Sequence, residues 1–267
     1  MSEINTINNT KLPLSKDDLI RDFKALGLRE YDHIILHVSL SKIGWIIGAE
    51  ITLIKALQEV LVKGTIVMST QTGQLSDPRR WENPPVPTTW HEKIIKNMPY
   101  YDQDMTPPYQ IGRVAQFFYK MKNVYRSNHP SNSFSAWGHH AQALTKTHIL
   151  SPAFGDRSPI QFTIQHQFKV LSIGTSYDTM TVLHYAETKK PQVKKITKMH
   201  FVNDGNNKTK ILEIEDIDYD TQEFLSIGEL FEKKYSIIKG KVGQANTKFL
   251  PVKELVESAI QYYYQSQ

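Results

Sequence analysis

The chain has 267 residues, 40% of them hydrophobic and 22% charged, with a net charge of +5 and a pI near 9.1. It contains no cysteine, which excludes disulfides, thiolate metal sites and a cysteine nucleophile. No apolar run approaches the roughly 20 residues that a bilayer-spanning helix needs and the polar start is not a signal peptide, so a globular, cytoplasmic protein of one large domain is expected.

Residues 1–14 are expected as a flexible lead-in. Ser15-Lys16-Asp17-Asp18 reads as an N-cap opening a helix with Leu19, Ile20, Phe23 and Leu26 on its apolar face, closed by Gly27. Residues 33–38 form a short β-rich run, followed by a loop containing Gly44 and Gly48. Periodicity through Ile51, Ile54, Leu57, Val60 and Leu61 predicts a helix over 50–62. Gly64 then turns the chain into a second buried strand at 65–68. Strand, loop, helix, strand is a βαβ unit, so a parallel sheet is expected.

Residues 71–110 resist regular structure. Their prolines, together with Trp81, Trp90, Tyr100 and Tyr101, predict an ordered Pro-rich loop with a short helix near 90–97, covering a site. Beyond it come a helix at 111–121, a loop at 126–130, a strand at 133–137 and a helix at 138–146. Ser158-Pro159 opens a further short helix. The apolar run 169–173, closed by Gly174, is a buried strand. Asp204-Gly205 marks a β-hairpin between 194–202 and 209–218, and helices are predicted at 221–234 and 252–264. These elements give one α/β domain, 1–267, carrying an antiparallel appendage at 194–218.

The densest chemistry lies in 177–187, just after that buried strand. His184 and Glu187 are three residues apart, so a helix puts them on one face, and Asp178 sits in the preceding loop. Strand ends of α/β sheets are where ligands bind, and a histidine steadied there by carboxylates can accept a proton. Spacing alone favours an ordinary surface pair worth roughly 0.2–0.5 kcal/mol; the rest of the chain changes that weighting. The segment His37-Val38-Ser39-Leu40-Ser41-Lys42-Ile43-Gly44-Trp45 exposes backbone N–H groups near a helix start. It suits an anion or carbonyl oxygen, or equally a tight turn with a capping serine. It lacks the P-loop ending and the dinucleotide glycine pattern.

Lys189, Lys190, Lys194, Lys195 and Lys198 form a basic cluster, and Glu213, Glu215, Asp216, Asp218, Asp220 and Glu223 an acidic run. Each reads as a solvated face, although the acidic run would draw a polycation if it bordered a pocket. His33 reads as structural, His139 and His140 as capping or solvent-facing, and His166 and His200 as belonging to no constellation. No ligand spacing suggests a metal, and no nucleic-acid motif is present.

Several segments are more specific in combination: His37 to Ser41 with Gly44-Trp45, Met68 to Gly73, Leu75 to Pro78, Trp81 to Pro87, Arg126 to Pro130 with Ser133-Phe134, Leu183-His184 with Ala186-Glu187, and Gly240 to Gly243. In this order, across 19–264, they resemble the aminoglycoside 3-N-acetyltransferase family. The resemblance implies an α/β fold, a three-layer α/β/α sandwich with a mostly parallel central sheet and a small antiparallel β appendage. It implies transfer of an acetyl group from acetyl-CoA to an amine, usually the 3-amino group of a 2-deoxystreptamine aminoglycoside, with antibiotic resistance as the outcome. His184 matches the family's catalytic histidine, oriented by Asp216 or Asp218. His37, Ser39, Leu40, Ser41 and Gly44 would lie along the pantetheine and thioester, and Ser127 and His129 would help to hold CoA, although His129, which precedes Pro130 in an extended loop, reads equally as a packing residue. Asp178, Glu187 and Asp77 would face the acceptor.

The chemistry agrees with this assignment. A protonated amine has no lone pair, so a base must remove a proton. Backbone N–H groups after Val38 would hold the developing oxyanion. Without a cysteine to carry the acyl group, direct transfer is favoured over a ping-pong route. Met180 stands where a small polar residue is expected and would reshape the acceptor pocket, which keeps a CoA-dependent N-acyltransferase acting on a different amine as the alternative. The expected partners are a small-molecule amine and acetyl-CoA, with homodimer formation as an option; no metal, nucleic acid or membrane is expected.

Overall fold

The apolar runs of the sequence become the middle of one sheet. The computed structural model describes residues 3–265; Met1, Ser2, Ser266 and Gln267 lie outside the described residues. The strands are β1 (His33–Val38), β2 (Thr65–Ser69), β3 (Val124–Arg126), β4 (Phe134–Gly138), β5 (Lys169–Ile173), β6 (Lys195–Asn203), β7 (Thr209–Ile217), β8 (Ile238–Val242) and β9 (Ala245–Pro251). Seven of them form a sheet in the order β3-β4-β2-β1-β5-β9-β8, and β6 and β7 form a separate hairpin. The central strands β2, β1 and β5 run parallel, and antiparallel pairs complete the sheet on either side.

Side chains alternate between the faces of a strand, so register sorts the core into two halves. Ile35, Val67, Ala136 and Val170 face the helices Ala141–Lys146, Pro159–Gln165, Phe224–Lys234 and Val252–Gln265. Ile34, Leu36, Ile66, Met68 and Leu171 face Lys16–Ala25, Ala49–Val60 and Arg113–Phe118. The result is a three-layer α/β/α sandwich. Parallel strands covered on both faces have no wet side, which is why β1, β2 and β5 read as continuous apolar runs.

The helix Lys16–Ala25 starts at the expected capping box. Ser15 Oγ accepts the Asp18 N–H at 3.2 Å, and the Asp18 carboxylate accepts the Ser15 N–H at 3.0 Å, an arrangement worth about 1 kcal/mol. The lead-in before it carries a short helix that buries no residue, and it is tied down near residues 10 and 14. Glu3–Asn8 is helical, Thr10 Oγ1 accepts the Trp45 N–H at 2.9 Å, and Leu14 exchanges backbone bonds with Trp45 and Ile47 at 2.9 and 3.0 Å.

The Pro-rich segment 71–110 carries three short 3-10 turns and the helix His91–Asn97. Its Leu75, Met98 and Tyr101 pack with Met199 and Phe201 of β6, so it braces the hairpin. Arg126 anchors it. Its Nη1 donates to the carbonyls of Thr106 at 2.6 Å and Gln103 at 3.2 Å, and Nη2 donates to Thr70 at 2.8 Å. The guanidinium lies 5.2 and 5.0 Å from the rings of Tyr101 and Tyr119.

The basic cluster and the acidic run neutralise each other across the hairpin. Lys195 pairs with Glu215 at 2.9 Å, Lys198 with Asp216 at 3.1 Å and Lys194 with Asp218 at 2.6 Å. Three acids of the run are therefore neutralised by the hairpin's own lysines, while Glu213 and Asp220 have no ion pair among the described residues.

The histidines form constellations that the sequence did not reveal. His129 meets His148 and His200 at ring distances of 4.5 and 5.6 Å. His140 meets His33, His139 and His166 at 4.5, 4.5 and 4.8 Å. Burial holds His140, His148 and His200 down to about 4, and neighbouring imidazoles add to the shift at His140. An unfolded histidine takes its proton near 6.5. Between that pH and about 4 the unfolded state binds more protons, so stability falls as pH falls through this window. Denaturant midpoints followed by circular dichroism are expected to be level above about pH 7 and to drop steadily from about 6.5 to 4, with the drop made shallower by His140→Gln. A level midpoint down to the lower limit contradicts this account.

Candidate active site

Three parallel strands deliver their C-terminal ends to one edge of the sheet, and the turns that follow them build a cavity there. After β1 the chain passes Ser39 into the short helix Leu40–Ile43. After β5 it passes Gly174 into the 3-10 turns Tyr177–Thr179 and Thr181–Leu183 and then the helix His184–Glu187. The cavity measures about 610 Å³. His37, Ser39, Leu40, Ser41 and Gly44 line one side of it, so all five residues expected along the pantetheine share one wall. Thr179 and Thr181 come from the turns after β5, and Arg113 comes from the start of the helix Arg113–Phe118. Of the Pro-rich segment, only its ends, Gln71 and Gln110, reach this cavity.

Local backbone explains the shape of the wall. Gly44 has φ +110°, a conformation that side-chain-bearing residues rarely adopt, and a Cβ there would come within 3.2 Å of Thr10 Oγ1. Ser39 N–H donates to the carbonyl of Ile173 at 2.9 Å, which ties the β1 turn to β5. That N–H is therefore spent. The N–H groups of Leu40 and Ser41 have no partner among the described residues and remain as donors at the wall.

His184 follows the Thr181 turn. It does not itself line the 610 Å³ cavity. Its side chain is 13% exposed, and its Nδ1–H donates to Glu187 Oε2. Phe154 stacks on the ring at 4.9 Å and 16°, and Phe224 and Tyr219 close in at 4.9 and 5.4 Å. With the proton on Nδ1, the lone pair is on Nε2. Nε2 has no hydrogen-bond partner and is not sealed from solvent. Glu187 is buried, and its other oxygen accepts the Asp220 N–H at 3.1 Å with Lys190 Nζ 3.9 Å away. An imidazole with one nitrogen committed to a buried carboxylate and the other open is equipped to take a proton.

The carboxylates that the resemblance assigned to His184 lie elsewhere. Asp216 accepts from Ser151 Oγ at 3.3 Å, Ala153 N–H at 3.4 Å, Tyr219 Oη at 3.4 Å and Lys198 Nζ at 3.1 Å. Asp218 is paired with Lys194. Neither bonds to His184; Asp216 approaches it only through Tyr219. The lysines opposite β7 claim both acids, and the three-residue helical spacing brings Glu187 to the imidazole instead.

Other expected residues are also placed apart from the cavity. Ser127 Oγ accepts the Phe134 N–H at 2.9 Å and meets His148 Nδ1 at 2.9 Å. His129 Nδ1 accepts the N–H groups of Ser131 and Asn132 at 3.2 and 3.0 Å, and its Nε2 donates to Leu150 O at 3.3 Å. Both residues are fully buried and knit the β3–β4 connection. Asp77 is held by Arg79 at 2.7 to 3.0 Å, a contact that keeps its carboxyl below the usual range. Asp178 is exposed and accepts from Ser176. Glu187, Asp218 and Asp220 border a separate recess of about 330 Å³. Met180 is fully buried in the core between two cavity-lining threonines, so its side chain does not shape the cavity. Sequence reasoning missed Ser69 and Arg113 as cavity residues; the position of Ser69 at the end of a parallel strand was the available signal.

The fold is that of an α/β acyltransferase family. The sequence model of the aminoglycoside 3-N-acetyltransferase family matches residues 35–264, and the chain belongs to that family. The YokD protein of Bacillus subtilis, an SPbeta prophage-derived aminoglycoside N(3')-acetyltransferase-like protein, is 35% identical over 96% of this chain and 95% of its own length. Its crystal structure has a TM-score of 0.94 over 97% of each chain. Aminoglycoside N(3)-acetyltransferase IX of Micromonospora chalcea is 31% identical over 70% of this chain and 66% of its own length. The structure of AAC-VIa bound to sisomicin has a TM-score of 0.86 at 26% identity, over 96% of this chain and 100% of the other.

The pairing of His184 is open to a direct measurement. Its Nδ1 proton is expected as a downfield NMR resonance that Glu187→Gln displaces and Asp218→Asn leaves in place. A resonance that responds to Asp218→Asn instead would restore the aspartate assignment.

Proposed function

We propose that this protein is an acetyl-CoA-dependent N-acetyltransferase, with the 3-amino group of a 2-deoxystreptamine aminoglycoside as its acceptor and His184 as general base. One observation carries the reading. A single run of turns supplies both halves of a transfer site: Thr179 and Thr181 wall the strand-end cavity, and His184 follows in the next turn with Nδ1 committed to Glu187.

In this reading the acyl-bearing arm of acetyl-CoA lies along residues 39–44, and the net charge of +5 suits its phosphates. The acceptor amine gives a proton to Nε2 of His184, and its nitrogen attacks the thioester carbonyl carbon. The new C–N bond forms, the C–S bond breaks, and the proton leaves with the thiolate as CoA thiol. Glu187 acts as a positioning residue, holding the ring and stabilising the imidazolium. The Leu40 and Ser41 N–H groups are free along the wall that takes this arm.

A second acceptor class is favoured by one feature. Glu215, Asp216 and Asp218 are each engaged by a lysine, which reduces the carboxylates free to draw a polycation. A CoA-dependent N-acyltransferase acting on a less cationic amine fits that balance.

The test is thiol release from acetyl-CoA, free of background because the chain has no cysteine. Acceptor-dependent release with aminoglycosides is expected. His184→Ala is expected to lower kcat about 100- to 10,000-fold while KM for acetyl-CoA stays within about twofold. Release with other amines alone selects the second acceptor class, and no release with any amine removes the transferase reading.

A further inference from the structure

Two polar side chains at the floor of the cavity have no partner in the protein, and their placement says what they are for. β1 and β2 run parallel with Ile35 beside Val67, and continuing that register two residues sets His37 beside Ser69. On the other side of β1, His37 is paired with Ser172 of β5. By strand alternation, His37 and Ser69 share the face of Ile35 and Val67, the face against which Phe154, Val182, Leu183 and Phe224 pack. Phe154 and Phe224 are also two of the rings around His184. The pair therefore points to the side of the sheet that carries the base.

Both residues line the 610 Å³ cavity, and both carry a buried polar atom with no hydrogen bond, His37 Nε2 and Ser69 Oγ. His37 is 9% exposed. Their neighbours are not left so. Ser172 Oγ bonds to Thr175 Oγ1 at 2.7 Å, and Ser133 and Ser135 each bond to Thr70. A buried polar group without a partner costs about 1–3 kcal/mol, and two on one cavity floor mark the place where a ligand supplies the missing partner. Leu36, Met68, Val114 and Ala115 add apolar lining to the same cavity from the other face of the sheet.

We infer that His37 and Ser69 receive the acyl oxygen of the thioester, with His37 donating as an uncharged imidazole; this rests on the transferase reading above. Desolvation holds the His37 pKa at about 4, so the ring is neutral at working pH. A neutral donor does not compete for the amine's proton, and its hydrogen bond strengthens as charge develops on the oxygen. His37 and His184 then divide the work: one imidazole donates to oxygen, and the other accepts from nitrogen.

The test separates carbonyl recognition from cofactor binding. Titration calorimetry compares acetonyl-CoA, which keeps a carbonyl beside a non-transferable carbon, with S-ethyl-CoA, which lacks it. The wild-type protein is expected to prefer the carbonyl compound, and His37→Leu to erase that preference while leaving S-ethyl-CoA affinity unchanged. In turnover, His37→Leu should lower kcat about 100- to 1,000-fold, Ser69→Ala should lower it less, and His37→Gln should recover part of the loss because it keeps a donor. The acid limb of the pH–rate profile should not move in His37→Gln. Equal discrimination by wild type and His37→Leu, or an acid limb displaced by His37→Gln, overturns the inference while the transferase reading stands. If the wild type binds neither CoA compound and transfers no acetyl group, the transferase reading fails first. Thermal melts of each variant exclude loss of fold as the cause.

Discussion

The site depends on three parallel strands ending together. Only in β2, β1 and β5 does the chain leave the sheet repeatedly at the same edge, and the turn after each exit contributes to one cavity. The antiparallel strands on either side widen the sheet and bury its flanks. The bond from Ser39 N–H to Ile173 O fixes the distance between two of the exits. Because side chains alternate along each strand, the last residues of β1 and β2 present polar groups to the cavity immediately after their apolar stretches end.

On that platform the imidazole is set by short-range geometry and the charges around it by long-range pairing. His184 and Glu187 meet because a helical turn makes them meet. The aromatic ring contacts from Phe154, Phe224 and Tyr219 limit how far the imidazole can tilt. Asp216 and Asp218 were the aspartates expected beside His184, yet Lys198 and Lys194 across the hairpin pair with them. A carboxylate already neutralised in this way has little left to offer a distant ring.

What was legible in the sequence followed from local rules. The continuous apolar runs of β1, β2 and β5, the capping box at Ser15 and the Asp204-Gly205 turn each announce themselves within a few residues. The wall formed by Ser39, Leu40, Ser41 and Gly44 was also readable, because it is the loop after a parallel strand. What was not legible depended on partners distant along the chain. Ser127 looks like a loop residue free to meet a ligand and His129 reads equally as a ligand contact or a packing residue, but Phe134, His148 and Leu150 claim them. Met180 looks like a pocket substitution, but the turn directs it into the core. The contact between His184 and Glu187 was present in the helical spacing, whereas the resemblance pointed further down the chain, to Asp216 and Asp218.

The manner in which Arg126 holds the Pro-rich segment carries a consequence for how that segment can vary. Its guanidinium meets main-chain carbonyls of Thr70, Gln103 and Thr106, and its Nε donates to Ser133 Oγ at 2.9 Å. A carbonyl oxygen is present whatever residue occupies the position. The grip of the guanidinium on the segment therefore does not depend on which side chains stand at 103 and 106, although Gln103 Nε2 donates to the Arg126 carbonyl and Thr106 Oγ1 accepts the Asp102 N–H as bonds of their own. That grip needs the rigid fork of donors that an arginine has and a lysine lacks.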